Sequence, residues 1–277
     1  MSTTEGVAVA SAERGGAEAA SAARGPFGML IGMIVKPRAT MAALREARRR
    51  WWIVPAILMV GALIFSGFAY SRANAEFLYQ QQVEMFEQMP PEQRGPMAEP
   101  PAKATPPLLT TGLRIAGQVV GVIVTWVVWA GLLALASTFF GQNGARFGGF
   151  FAMVVWAWLP HAVRHLVQGV YQFVTQTPIY NQGLSGLVLD NTPMAFSPFS
   201  GPRYVPPTRS DQVWAAFLGR IDVYRVWSLL LLVTGVIIFA RASKKRAWLL
   251  TLGIWLIATL LSLLPTIIGL TSGLRLF

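Results

Sequence analysis

The sequence contains no cysteine. Disulfides, thiolate metal sites and thiol catalysis are therefore excluded. Charge is scarce as well: Asp, Glu, Lys and Arg make up 13% of the 277 residues, where a soluble globular domain carries roughly 25%. Acids are the scarcer sign, 12 against 23 basic residues, for a formal net charge of +11. There is no phosphate-binding G-x-x-x-x-G-K-[ST] loop, so the chain cannot power transport with ATP itself. H-E-x-x-H, the nucleophile elbow and the kinase motifs are also missing. No catalytic residue, cofactor site or metal site is expected, and the chain does not read as an enzyme. What is abundant is apolar: 54% of the residues are hydrophobic, in recurring runs near 20 residues, the length that crosses a bilayer core of about 30 Å.

These runs define an all-α polytopic membrane protein with five transmembrane helices. Spans fall near 53–71, 113–139, 148–174, 223–240 and 247–270. Residues 1–25 are rich in Ala, Gly and Ser without a long apolar core, and are expected to be a disordered tail rather than a cleavable signal. Residues 26–52 form a basic amphipathic juxtamembrane segment. Phe27 to Val35 is too short to span. After Lys36 and Pro37, Thr40 is placed to cap a helix running toward Trp51. That helix carries Arg45, Arg48, Arg49 and Arg50 and should lie in the membrane interface. Two longer connections, 72–112 and 175–222, complete the membrane domain 53–277. The stretch EFLYQQQVEMFEQM continues the first span as an amphipathic helix. A Pro-rich linker follows it. The second connection ends in DQVWAAFLGRID, which has helical periodicity. Gly117 and Gly121 form a G-x-x-x-G pair in the second span, a spacing that permits close helix approach.

The cations cluster at the ends of the apolar runs, and no recognition motif accompanies them, so nucleic acid is not an expected partner. They read instead as topology signals. Placing the N-terminus inside keeps Lys36, Arg38, Arg45, Arg48, Arg49, Arg50, Arg146, Arg241, Lys244, Lys245 and Arg246 on the cytoplasmic side. Asp190, Asp211 and Asp222 then lie across the membrane. Five spans put the C-terminus outside, with both long connections. The basic turn Arg241, Lys244, Lys245 and Arg246, together with Arg48, Arg49 and Arg50, suits anionic lipid headgroups or an acidic partner.

Three segments carry a family resemblance. KPRATMAALREARRRWWIVPAIL places Pro37 before a short amphipathic stretch and Pro55 in the first turn of a span. FGGFFAMVVWAWLP runs from Gly149 to Pro160. IDVYRVWSLLLLVTGVIIFARASKKRAWLL sets Asp222 and Trp227 before a span with Gly235, a basic turn and the last span. Their order and spacing resemble the Yip family, the Ypt/Rab-interacting integral membrane proteins, and specifically its prokaryotic members. The resemblance implies five helices, a cytoplasmic N-terminus, little or no C-terminal tail and a multi-pass place in the inner (plasma) membrane. The Asp-Leu-x-Gly-Pro motif of eukaryotic members is absent, so the resemblance brings no expectation of GTPase binding. Some prokaryotic members look like accessory subunits of ABC-type exporters. A membrane scaffold or accessory subunit, contacting such an exporter or a second copy of itself, is the function implied.

The third span is the exception to a purely apolar reading. His161 and His165, four apart, share a helix face beside Arg164, just after Pro160. Ionisable groups within a membrane cost about 2.5–3.5 kcal/mol each on insertion scales and need a partner or water. One reading is a polar site for an anion or protons, with Arg164 as its fixed charge, which would suit a small transporter or channel. The other is a kinked helix whose polar groups satisfy one another. A metal is not expected, because no carboxylate joins the histidines in that span and Arg164 would repel a cation. Asp222 and Arg225, three apart at the mouth of the fourth span, are placed for an interfacial ion pair. A third reading is a membrane-shaping protein acting through the amphipathic segment. No carboxylate lies in the five spans and no inverted repeat is visible, which argues against a secondary transporter.

Overall fold

The computed structural model describes residues 25–46, 49–90, 102–103, 105–139, 146–189, 195–197, 201–203 and 208–272. The N-terminal tail, Arg48, most of the Pro-rich linker, Asp190 and the last five residues lie outside them. Helices dominate: α1 Pro26–Val35, α2 Pro37–Glu46, α3 Ile53–Gln88, α4 Leu108–Phe139, α5 Phe147–Ala157, α6 Leu159–Thr175, α7 Arg209–Leu218, α8 Val223–Phe239 and α9 Lys244–Ser272. One small antiparallel ladder, β1 Ala195–Ser197 with β2 Gly201–Arg203, sits in the second long connection.

Four of the spans are long and apolar enough to cross a bilayer on their own. The fifth is composite. At 17 residues, α8 reaches about 25 Å at 1.5 Å per residue, short of the hydrocarbon core. It joins α7 across a 53° bend, and the pair together qualifies as a span. The polytopic all-α class predicted from the apolar runs is thus the class observed. The third span, Phe147–Thr175, is the most enclosed: 72% of its apolar window is buried, against 22–39% for the other three.

Several local expectations need correction. Thr40 does not cap α2. Pro37 opens that helix three residues earlier, because a proline needs no N–H partner and has its φ already set. The Thr40 hydroxyl instead donates to the Lys36 carbonyl at 3.0 Å. The helix is described as far as Glu46, and a 3-10 turn, Arg49–Trp52, leads into α3. The third span has its expected extent, Phe147–Thr175, with a turn residue at Trp158 between α5 and α6, the kink expected near Pro160. Pro160 sits in the first turn of α6, where its ring is tolerated, and the helix is interrupted just before it. The close approach that Gly117 and Gly121 permit is not used among the described residues, since the space around both glycines is open.

The chain divides into two compact units. The first comprises Met1–Ile57, Trp126–Ala157 and Leu230–Leu250. Its core holds Met33, Met41, Phe150, Met153, Trp156 and Phe239, all buried. Phe150 and Phe239 pack at 6.5 Å between ring centroids, and Trp52 meets Phe151 edge-on at 5.2 Å. Arg45 donates to the Ile238 carbonyl at 2.9 Å, placing a cation at the C-terminal end of α8, where the helix dipole favours it. Gly235 sets the closest approach in this unit. A Cβ built there would fall 2.4 Å from Met153 Sδ and 2.6 Å from its Cγ.

The second unit comprises Leu58–Thr125, Trp158–Leu229 and Thr251–Phe277. Here α3 meets α6 at Gly169, whose Cβ would lie 2.6 Å from the Phe65 ring, and α4 at Gly67, whose Cβ would lie 2.6 Å from Ile115. A shared hydrogen bond of 2.8 Å between Ser71 and Thr111 reinforces the second crossing. The N-terminus of α7 carries a capping box that periodicity does not reveal: Thr208 accepts from the Asp211 N–H, and Asp211 accepts from the Thr208 N–H.

Gly235→Leu overfills the α5–α8 crossing and should destabilise the protein by about 1–3 kcal/mol. A thermal-unfolding series in detergent checks this. A Gly235→Leu melting temperature equal to the parent's would show that Met153 yields freely.

Candidate functional site

The ionisable residues of the third span gather in the second unit, at the start of α6. His161 is 5% exposed and Arg164 8%. Arg164 does not stand as a free charge. Its Nη1 lies 2.8 Å from Asp222 Oδ2, and both side chains are about 10% exposed. Its Nη2 donates to Gln182 Oε1. His161 Nδ1 shares a 2.9 Å hydrogen bond with Ser228, and its ring stacks on Trp158. His165 Nδ1 shares a 3.3 Å bond with Ser66. The two histidines therefore turn to different helices, α8 and α3. His161 Nε2 and Arg225 Nε are buried without partners.

Local structure explains how the counter-charge reaches Arg164. Asp222 lies in the break between α7 and α8. There its Oδ1 accepts the Arg225 backbone N–H at 2.7 Å and caps α8. The side-chain ion pair expected between Asp222 and Arg225 is not formed: Arg225 supplies its backbone, and Arg164 takes the carboxylate. A 3-10 turn, Gly183–Leu187, docks beneath this break, with Leu184 N–H donating to the Ile221 carbonyl at 3.1 Å. Gly183 has φ +59, and a Cβ there would meet the Ile221 carbonyl oxygen at 2.7 Å and that of Gly219 at 2.9 Å. Only glycine suits such a position. This turn delivers the neighbouring Gln182 to Arg164.

A polar cavity of about 290 Å³ opens beside His165, in the same unit. Arg114 is its cation. The Arg114 guanidinium lies 4.5 Å from the Tyr70 ring centroid and donates to the Gly67 carbonyl at 2.9 Å. Tyr180 closes one wall, edge-on to Tyr70, and donates to Asn74 Oδ1 at 2.8 Å. Partial desolvation, then the neighbouring Tyr70, pushes the Tyr180 phenol up to about 12, so it stays neutral.

The other predicted positions are structural or on the surface. Pro37 opens α2, and Pro55 is buried in the first turn of α3. Gly149 lies in the first turn of α5, its N–H donating to the Arg146 carbonyl at 2.8 Å. Trp227 is half-buried on α8. Arg50, Arg241, Lys244, Lys245 and Arg246 are exposed, and Arg49 lies in the 3-10 turn before α3. Arg241 takes the left-handed conformation, φ +51, that ends α8. Ser66, Ser228, Gln182 and Arg114 were not singled out by sequence. The two serines did leave a signal, as lone hydroxyls inside apolar runs.

Removing one partner of a buried ion pair strands the other charge and costs about 3–5 kcal/mol, whereas replacing both by apolar residues is often neutral. Arg164→Leu and Asp222→Leu should each fall sharply in yield and melting temperature, and the double variant should recover most of the loss. Additive losses in the double variant would mean that the two charges do not act as a pair.

No curated protein and no solved structure matches this chain. A family model, the Yip1 domain, matches residues 31–265, which include the first four spans, most of the last and both polar features described above. With most of its length matched and its helices suited to crossing a bilayer, the chain is an integral membrane protein that belongs to the Yip1 domain family.

Proposed function

We propose that the chain is a non-enzymatic scaffold or accessory subunit of a membrane complex, in the plasma membrane of a prokaryote. The observation that carries this reading is the Arg164–Asp222 pair. The one run of ionisable groups inside a span is spent on internal partners. Arg164 bonds Asp222 and Gln182, while the histidines bond Ser228 and Ser66. A translocation path built on these residues would need that charge free. The kinked helix, with its fixed charge paired inside the fold, is therefore favoured over the small channel or transporter.

The proposed orientation has the N-terminus in the cytoplasm. Every lysine and arginine of the first unit whose side chain is described is exposed, including Arg50, Arg146 and the basic turn at 241–246. Four of them fall in the short turn 241–246 beside two spans, and that density supports the positive-inside assignment. A reporter fused at the C-terminus should be active only in its extracytoplasmic form, and a fluorescent cytoplasmic reporter there would reverse the assignment.

The partner we propose is another membrane complex, an ABC-type exporter, with anionic headgroups at the basic turn. Purification in mild detergent should recover a stoichiometric partner that hydrolyses ATP. Recovery of the chain alone, combined with solute flux in liposomes, would instead favour the transporter.

A further inference from the structure

The cavity beside α6 is not explained by a scaffold role, and its chemistry is specific. Among the described residues that line it, one is a permanent cation, Arg114, and none is a carboxylate. The ion pairs formed among the described residues are Arg164–Asp222 and Lys103–Glu76, so Arg114 belongs to neither. Its guanidinium spends one bond on the Gly67 carbonyl and lays its face on Tyr70. A guanidinium has five donors. A half-buried arginine without a counter-charge is costly close to a bilayer, and such residues mark places where a ligand or partner supplies the charge.

Gln172 independently points to a ligand. It is 4% exposed and lines the same cavity. Its Nε2 donates to the Gln168 carbonyl at 3.0 Å, which fixes the orientation of the amide, because only the nitrogen can donate there. Its Oε1 is then a buried acceptor with no partner. A buried acceptor left unpaired costs about 1–3 kcal/mol, so the wall lacks a donor as well as an anion. Gln118 and His165 add further polar edges, and the neutral phenol of Tyr180 adds no negative charge.

We infer that this cavity binds a phosphate group carrying hydroxyls, with Arg114 holding the phosphate and Gln172 accepting from a hydroxyl. Guanidinium–phosphate pairs are bidentate and strong. The volume of about 290 Å³ is at the small end of ligand pockets, which suits a headgroup rather than a larger molecule. Two sources offer this chemistry: a hydroxylated anionic lipid such as phosphatidylglycerol, and a soluble phosphate such as sn-glycerol 3-phosphate. The site does not depend on which partner, if any, the chain assembles with.

The test uses the full chain, purified from mixed vesicles of phosphatidylcholine and phosphatidylglycerol, with retained lipid counted by native mass spectrometry. The parent should keep phosphatidylglycerol in preference to phosphatidylcholine by about tenfold, the scale of one charge-assisted contact. Gln118→Glu places a carboxylate in the cavity without changing side-chain size, and it should abolish the preference. Arg114→Gln should do the same, while Arg114→Lys keeps part of it. Arg146→Gln, an exposed cation of the other unit, should leave the preference unchanged. A parallel arm adds sn-glycerol 3-phosphate to delipidated protein. Thermal stabilisation there, with no lipid preference, assigns the site to the soluble source. Equal retention of both lipids together with no stabilisation overturns the inference, and so does a phosphatidylglycerol preference that survives Gln118→Glu.

Discussion

A charged side chain deep in the apolar span of a membrane protein needs a counter-charge or another polar partner. Arg164 finds it in Asp222, and much of the second unit is arranged to bring that carboxylate there. Asp222 can be delivered only where a helix ends, because it must also cap α8. The fourth span therefore cannot be one straight helix. It breaks into α7 and α8 with a 53° bend at the acid. The break exposes backbone carbonyls, and the turn at Gly183 packs against them, carrying Gln182 to the remaining face of the guanidinium. One neutralisation requirement thus accounts for a bent span, a left-handed glycine and an ordered piece of a long connection.

The apolar runs were legible because most are long and uninterrupted; four appear as single candidate spans, and the remaining one is the bent α7–α8 pair. The third span was legible as unusual because His161, Arg164 and His165 interrupt a hydrophobic segment. What could not be read was which partner each would choose. Asp222 lies three residues from Arg225 and 58 residues from Arg164 along the chain, so local spacing favours the wrong pair. The N–H groups of the α8 N-terminus compete for the same carboxylate. They take one oxygen, and the buried guanidinium takes the other. Sequence spacing reports the first interaction and is blind to the second.

The glycines make the same point in packing terms. Gly117 and Gly121 carry the spacing associated with close helix contact, yet none of the described residues approaches them. Gly67, Gly169 and Gly235 carry no such spacing and are sites of close approach between helices. A glycine permits contact, but the contact is chosen by what faces it: Ile115, Phe65 and Met153. For Gly235 the family pattern gave the position, and the Met153 contact gives it a physical role.

The cavity at Arg114 shows why a polar site in a membrane protein is harder to read than a polar run. Its walls come from four separated stretches, near residues 66–70, 114–118, 165–172 and 179–182. None of these is unusual alone, and Arg114 looks like a flanking cation at the start of the second span. Sequence directs attention to Arg164, the arginine deepest in an apolar run. Structure reverses that ranking. Depth calls for internal neutralisation, and Arg164 has it in Asp222. Arg114, nearer the end of its helix, escaped that requirement because water or a headgroup can meet part of the cost. An arginine that the fold must satisfy supports architecture, and one that the fold leaves unsatisfied is where an external anion is drawn.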